Sequence, residues 1–198
     1  MAEPQTTPAA GVSGETAPAP VARWRPGDAR PDIPSMVRVD QAGEYGATCI
    51  YRGQLAVLGS HHPASRPIAR MASQEARHLR TFDEMMVERG VRPTLLQPIW
   101  NVAGHTLGAV TALMGPSAAM ACTAAVETEI DRHYAEQLQA LGSSEPDLAA
   151  TITEFQREEL EHRDAAISAG AEDTFGYPVL SSLIRAGCRL AIELSKRI

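Results

Sequence analysis

"EARH" at residues 75–78 and "ELEH" at residues 159–162 decide how this chain folds. In each, a glutamate stands three residues before a histidine: Glu75 before His78, and Glu159 before His162. On a helix, positions i and i+3 share a face, so each pair can offer one carboxylate and one imidazole to a single cation. Taken singly, such a pair is an ordinary surface acid–base couple. The spacing around the two pairs points further. Glu44 precedes Glu75 by 31 residues, and Glu127 precedes Glu159 by 32. Glu44 and Glu127 are 83 residues apart, while both the glutamates and the histidines of the two pairs are 84 apart. Tyr51 follows Glu44 by seven residues, as Tyr134 follows Glu127, and seven residues are nearly two helical turns, so each tyrosine shares a face with its glutamate. The chain therefore reads as two copies of a helical hairpin.

Folded together, two such hairpins make a four-helix bundle. Two helices contribute one glutamate each, and the other two contribute a Glu-x-x-His each, which is the donor set of dinuclear carboxylate bundles. Four carboxylates offset two divalent ions, whereas without metal they would repel one another at a high desolvation cost. Oxygen and nitrogen donors without thiolate suit iron or manganese. Met71, Phe82, Ile152 and Phe155 fall at helical spacings from the pairs and should wall the site as part of the core. Asp40, one turn before Glu44, could hydrogen-bond a ligating histidine or serve as a first-turn acid. His133 could also touch the site, as could Glu129. Tyr51 and Tyr134 complete the set of candidate supporting residues.

The rest of the chain is read as all-α. Residues 1–34 hold seven of the fourteen prolines and read as a disordered Pro/Ala-rich tail, followed by one domain over 35–198. Ser35 is the expected cap of a helix reaching about Gly59; a second helix spans Ser65 to Gly90; another runs from Ser117 to Leu141. Ser144-Glu145-Pro146-Asp147 caps a fourth, ending near Ala169. Between the hairpins, Pro98 to Leu113 forms a short apolar helix with glycine breaks, and Pro178 opens a last, amphipathic helix. In "QAGEYGA", 41–47, Gly43 and Gly46 flank Glu44 at about 1 kcal/mol each in helix propensity, so the segment should need room for close helix approach, dioxygen or a substrate.

The net charge of −6 argues against a nucleic-acid partner. Cys49, Cys122 and Cys188 form no metal or disulfide pattern and read as small buried residues of a reducing compartment. The N-terminal segment has neither the basic region and apolar run of a secretory signal nor the early arginines of a transit peptide.

The segments "RVDQAGEYGATCIYRGQLAVL", "QEARHLRTFDEMMVERGVRPT", "ACTAAVETEIDRHY", "REELEHRDAA" and "AGCRLAIELSKRI" resemble the demethoxyubiquinone hydroxylases, di-iron monooxygenases of ubiquinone biosynthesis within the ferritin-like superfamily. The likeness runs from about Ser35 to Ile198; Gln41 departs from it, where the family usually has histidine. The resemblance implies that Glu44, Glu75 and His78 bind one iron, that Glu127, Glu159 and His162 bind the other, and that some glutamates bridge. It implies that dioxygen is the co-substrate, that the ring of a demethoxyubiquinol-like polyprenyl quinone is hydroxylated, and that NADH is the ultimate donor, its electrons entering through the quinone. It also implies a homo-oligomer, a lipid-binding partner protein of the same pathway, and a peripheral place on the cytoplasmic side of the inner membrane. Another dinuclear activity, as a peroxidase, a manganese catalase or an iron store, would use the same ligands.

The apolar helix, about 26 Å long at 1.5 Å per residue, is a little short of a bilayer core and should dip into one leaflet. The last helix sets Leu180, Leu183, Ile184, Leu190 and Leu194 on one side, with Arg185, Arg189, Lys196 and Arg197 as positive charge for an anionic surface. Core packing or an oligomer interface would explain the same stretches.

Overall fold

A computed structural model describes residues 30–198; the expected disordered segment lies outside them up to residue 29. Six helices follow in order: α1 (Ile33–Leu58), α2 (Ser65–Arg89), α3 (Gln97–Leu113), α4 (Pro116–Leu141), α5 (Pro146–Ser168) and α6 (Tyr177–Ser195), with a 3-10 turn at Ala171–Asp173. No strand occurs among the described residues. The fold is an all-α bundle. α1 pairs with α2, α4 pairs with α5, and these hairpins form the four central helices; α3 lies against α1 and α4, and α6 against α4 and α1.

Two helix starts differ from expectation. α1 begins at Ile33, because the Asp32 carboxylate accepts the backbone N–H of Ser35 at 3.2 Å and Pro34 occupies the first turn. Ser35 is thus inside the helix, and the tail boundary moves back accordingly. Ser144 does not cap α5: its hydroxyl donates to the carbonyl of Leu141, closing α4, and α5 starts after Glu145.

Phe82, Tyr134, Leu148, Ile152 and Phe155 fill one end of the core, and Tyr51, Ile68, Met71 and Met120 another. The four expected wall residues are therefore buried but divided between the two ends. The glycines of α3 are not breaks in the helix; they are where its backbone meets α1. A Cβ at Gly108 would sit 2.0 Å from the carbonyl oxygen of Ile50, and one at Gly53 would sit 2.2 Å from that of His105. Only residues without a side chain permit this contact. At Gly43 and Gly46 a Cβ would meet nothing within 4 Å, so these two serve open space and not helix approach.

α6 divides its leucines. Ile184 is buried, Leu180 packs inward, and Val179, Leu183 and Leu190 are exposed. Arg185 and Arg189 are not free for an anionic surface. Each donates to Oε1 of the buried Glu129 at 2.7 Å, which Arg132 also reaches at 2.8 Å. Glu129 therefore ties α6 to α4 and turns away from the expected site. Three cationic partners outweigh its burial and hold its carboxyl below the usual range. Cys49 and Cys122 are buried, Cys188 is half-buried, and all three are free thiols.

Candidate metal centre

Glu44 on α1, Glu75 and His78 on α2, Glu127 on α4, and Glu159 and His162 on α5 converge in the middle of the bundle, none more than 3% exposed. Their donor atoms form two overlapping groups, each with all atoms within 4.8 Å of one another: Glu44, Glu75, His78 and Glu159 in one, and Glu75, Glu127, Glu159 and His162 in the other. Glu75 and Glu159 belong to both. His78 Nδ1 lies 3.0 Å from Glu159 Oε1 and 3.4 Å from Glu44 Oε2. His162 Nδ1 lies 3.1 Å from both Glu75 Oε1 and Glu159 Oε2.

Such crowding of carboxylates is electrostatically costly. Burial, then the charges of Glu159, Glu44 and Glu127, push the Glu75 carboxyl well above its usual range. Burial and Glu159 do the same to Glu127. Burial opposes the charge of His78, yet the neighbouring Glu159 and Glu44 carboxylates raise it to about 10. Burial likewise opposes the charge of Glu159, but His162 and His78 bring that carboxyl down to about 2. Six inward atoms make no hydrogen bond of good geometry, Glu44 Oε2, both oxygens of Glu75, His78 Nδ1, Glu127 Oε2 and Glu159 Oε1, and of these Glu75 Oε2 and Glu127 Oε2 lack an ion-pair contact as well. Buried polar atoms are rarely left so, and a cluster of them on hard donors fits a pair of divalent cations in place of protons.

The tyrosines cross between the repeats. Tyr51 of α1 donates to Glu127 Oε1 at 2.7 Å, and Tyr134 of α4 donates to Glu44. Sharing a helix face with its own glutamate places each phenol opposite the glutamate of the other hairpin. Asp40 bonds no candidate ligand histidine. Its Oδ1 accepts from Gln137 at 2.7 Å and lies 3.3 Å from His133 Nε2. His133 itself stays outside both donor groups and lines a surface cavity with Glu136 and Lys196.

The sequence reading overlooked two residues. Glu158 Oε2 lies 2.9 Å from His78 Nε2 and also receives Arg77. Gln74 Oε1 lies 3.1 Å from His162 Nε2. Both stand one residue before a Glu-x-x-His glutamate and are 84 residues apart, so the repeat that aligns the ligands also aligns them. Phe155 stacks on the His78 ring at a centroid distance of 3.9 Å and shuts water from that side.

An apolar cavity of about 200 Å³ lies among α1, α3, α4 and α6, lined in part by Gly43, Gly46, Val126, Leu107, Ile184 and Cys188; none of the six candidate ligands lines it. Gly43 and Val126 directly precede Glu44 and Glu127, so the cavity borders the helical turns that carry these two glutamates.

Residues 31–195 match the family described as ubiquinone biosynthesis protein COQ7. The chain belongs to this family. Among curated relatives of this COQ7-family chain, the 3-demethoxyubiquinol 3-hydroxylase of Rhodospirillum rubrum is 53% identical over 175 residues, covering 87% of this chain and 82% of its own. The human NADPH-dependent 3-demethoxyubiquinone 3-hydroxylase, mitochondrial, is 49% identical, covering 85% and 79%. The 5-demethoxyubiquinone hydroxylase, mitochondrial, of Saccharomyces cerevisiae is 42% identical, covering 82% and 77%. Gln41, the departure from the family pattern, lies apart from the centre of this family member: it donates to Asp83 at 2.9 Å and accepts from Gln97 at 3.1 Å, joining α1 to α2 and α3.

Proposed function

We propose that the chain is a demethoxyubiquinol hydroxylase of ubiquinone biosynthesis, that its four central helices are a ferritin-like bundle, and that Glu44, Glu75, His78, Glu127, Glu159 and His162 hold two iron ions. Membership of the family and the names of its relatives support the hydroxylase activity. The observation that carries the metal reading is the set of buried carboxylate and imidazole atoms in two overlapping groups. Glu75 and Glu159 belong to both groups, so each would serve both ions. Bound there, a reduced iron pair would activate dioxygen so that one oxygen atom enters the quinol ring.

The protein's own groups prepare that chemistry. Tyr51 and Tyr134 hold Glu127 and Glu44 by charge-assisted hydrogen bonds and fix their carboxylate planes. The open space at Gly43 and Gly46 leaves room for the ring in the apolar cavity that these two glycines line. Phe155 excludes water behind His78. The electron donor is a reduced nicotinamide; NADH is the expectation from resemblance, and NADPH is the one the human relative's name carries.

A lipid-soluble substrate brings the chain to the membrane surface without crossing it. No helix among the described residues is long and apolar enough to span a bilayer. Ile99, Val102, Val110 and Leu113 of α3 and Val179, Leu183 and Leu190 of α6 are exposed and form the contact face. Self-association, a lipid-binding partner protein and a place on the cytoplasmic side of the inner membrane complete the proposal.

Metal analysis and Mössbauer spectroscopy of the purified protein, with and without a short-chain demethoxyquinol, test the assignment. Two irons per chain, a coupled signal that changes with quinol, and hydroxylated product are expected. Glu159→Ala or His162→Ala should lose at least one iron and the hydroxylation; full activity and iron content in either variant would refute the ligand set.

A further inference from the structure

The two hairpins differ at the outer nitrogens of their histidines. His78 Nε2 meets a carboxylate, Glu158 Oε2, at 2.9 Å, whereas His162 Nε2 meets an amide oxygen, Gln74 Oε1, at 3.1 Å. The Gln74 amide is oriented by its other end, since Nε2 donates to Glu158 Oε2 at 3.5 Å. A continuous chain thus runs His162–Gln74–Glu158–His78 between α5 and α2. Arg77 closes it on the outside, bound to both Glu158 and Glu154 and lying 5.4 Å over the Phe155 ring. The position equivalent to Arg77 in the second hairpin is Glu161, which pairs with Arg157, so Gln74 receives no such clamp. With a metal bound, the outer nitrogen of each histidine would be the donor, which would leave Nδ1, on the side of the carboxylates, free to bind it. A carboxylate behind an imidazole raises its donor strength more than an amide does.

We propose that Glu158 and Gln74 are positioning residues that make the two halves of the centre unequal: Glu158, clamped by Arg77 behind His78, makes that half the tighter metal position, and Gln74 behind His162 leaves the other the weaker. This rests on the reading of the six residues as ligands of two irons. The halves therefore fill in order, the His78 side first.

The test is anaerobic loading of metal-depleted full-length protein with ferrous iron, one equivalent of iron-57 followed by one of iron-56, and then in the reverse order. Mössbauer spectra report which half carries the visible isotope. In the parent, each order should give one dominant and different quadrupole doublet. Glu158→Gln should weaken the first binding step by about 10–100-fold and spread iron-57 over both doublets. Gln74→Glu should also spread the label, but by strengthening the second step, so its metal resists chelators better than that of the parent. A role in folding alone would weaken both steps in both variants. Equal doublets from the first equivalent in the parent would overturn the inequality while leaving the ligand set standing; failure to bind two irons at all would overturn the ligand set itself. If Glu158→Gln fails to fold by circular dichroism, Gln74→Glu decides alone, and no gain in its second step overturns the proposal.

Discussion

Replacing Gly108 by alanine is the most exacting check on how α3 is seated. The added Cβ would lie 2.0 Å from the Ile50 oxygen, 2.8 Å from its carbonyl carbon and 3.0 Å from its Cα, all backbone atoms of α1 that have no rotamer to yield. To restore ordinary contact at 3.4 Å, α3 must lift off α1 as a body, and it can do so only by losing the matching contacts at Gly53 and Gly104. Overpacking of this kind costs about 1–3 kcal/mol, with rigid backbone on both sides placing it toward the top of that range. The better helix propensity of alanine returns about 1 kcal/mol of this. At roughly 2–4 °C per kcal/mol for a chain of this size, Gly108→Ala should melt several degrees below the parent. Gly46→Ala is the internal control: its Cβ meets nothing within 4 Å, so only the propensity gain remains, about 0.5–1 kcal/mol in favour of the folded state. Both are read by thermal and urea denaturation followed by circular dichroism on iron-loaded protein. If Gly108→Ala is as stable as Gly46→Ala, the close α1–α3 contact does not exist as described.

Three further outcomes are expected. Gly46→Leu fills the apolar cavity that Gly46 lines, so quinol turnover should fall at least tenfold while iron content stays near the parent's; equal loss of both would show that this glycine serves packing alone. In metal-stripped protein, His78 is held at about 10 against an unfolded value of 6.5, and the Glu75 and Glu127 carboxyls are pushed well above 4.5. The folded chain then keeps protons that the unfolded chain has released, so the stability of stripped protein should fall as pH rises from about 6.5 to 10, and iron should remove this dependence; a stripped protein that is firmer at pH 9 than at pH 6 contradicts the site electrostatics. Leu183→Glu and Val102→Glu should each reduce flotation with anionic liposomes without changing iron content, and unchanged flotation of the double variant would place membrane contact elsewhere.

The convergence of the six candidate ligands was legible in the sequence because the hairpin is duplicated. A spacing of 83 or 84 residues aligns chemistry that no single Glu-x-x-His pair could certify. The same spacing aligned Gln74 with Glu158, but Gln74 is no carboxylate and Glu158 falls outside the Glu-x-x-His spacing, so only the packing of α2 against α5 brings them to the rings. Asp40 was misplaced for a related reason. Lying one turn before Glu44 fixes its face on α1, but its partner depends on which residues of α4 come opposite, and those are His133 and Gln137. The face of α6 that turns inward was equally beyond the sequence: leucines occur around much of the helix, and the buried acid on α4 that draws Arg185 and Arg189 is a tertiary fact. Cap choice failed at Ser35 and Ser144, because Asp32, three residues earlier, caps α1 and the Ser144 hydroxyl turns back to the Leu141 carbonyl.

A duplicated hairpin is by itself even-handed: what one flank offers, the other repeats. α3 and α6 end that parity, since both lie over α1 and α4, while α2 and α5 keep Arg77, Glu154 and Arg157 at the opposite surface. The centre thereby has one apolar flank and one polar flank. Under the proposed function, a lipid-soluble quinol would meet the centre from the apolar flank and water would meet the polar flank, where Arg77 and Phe155 stand over Glu158 and His78.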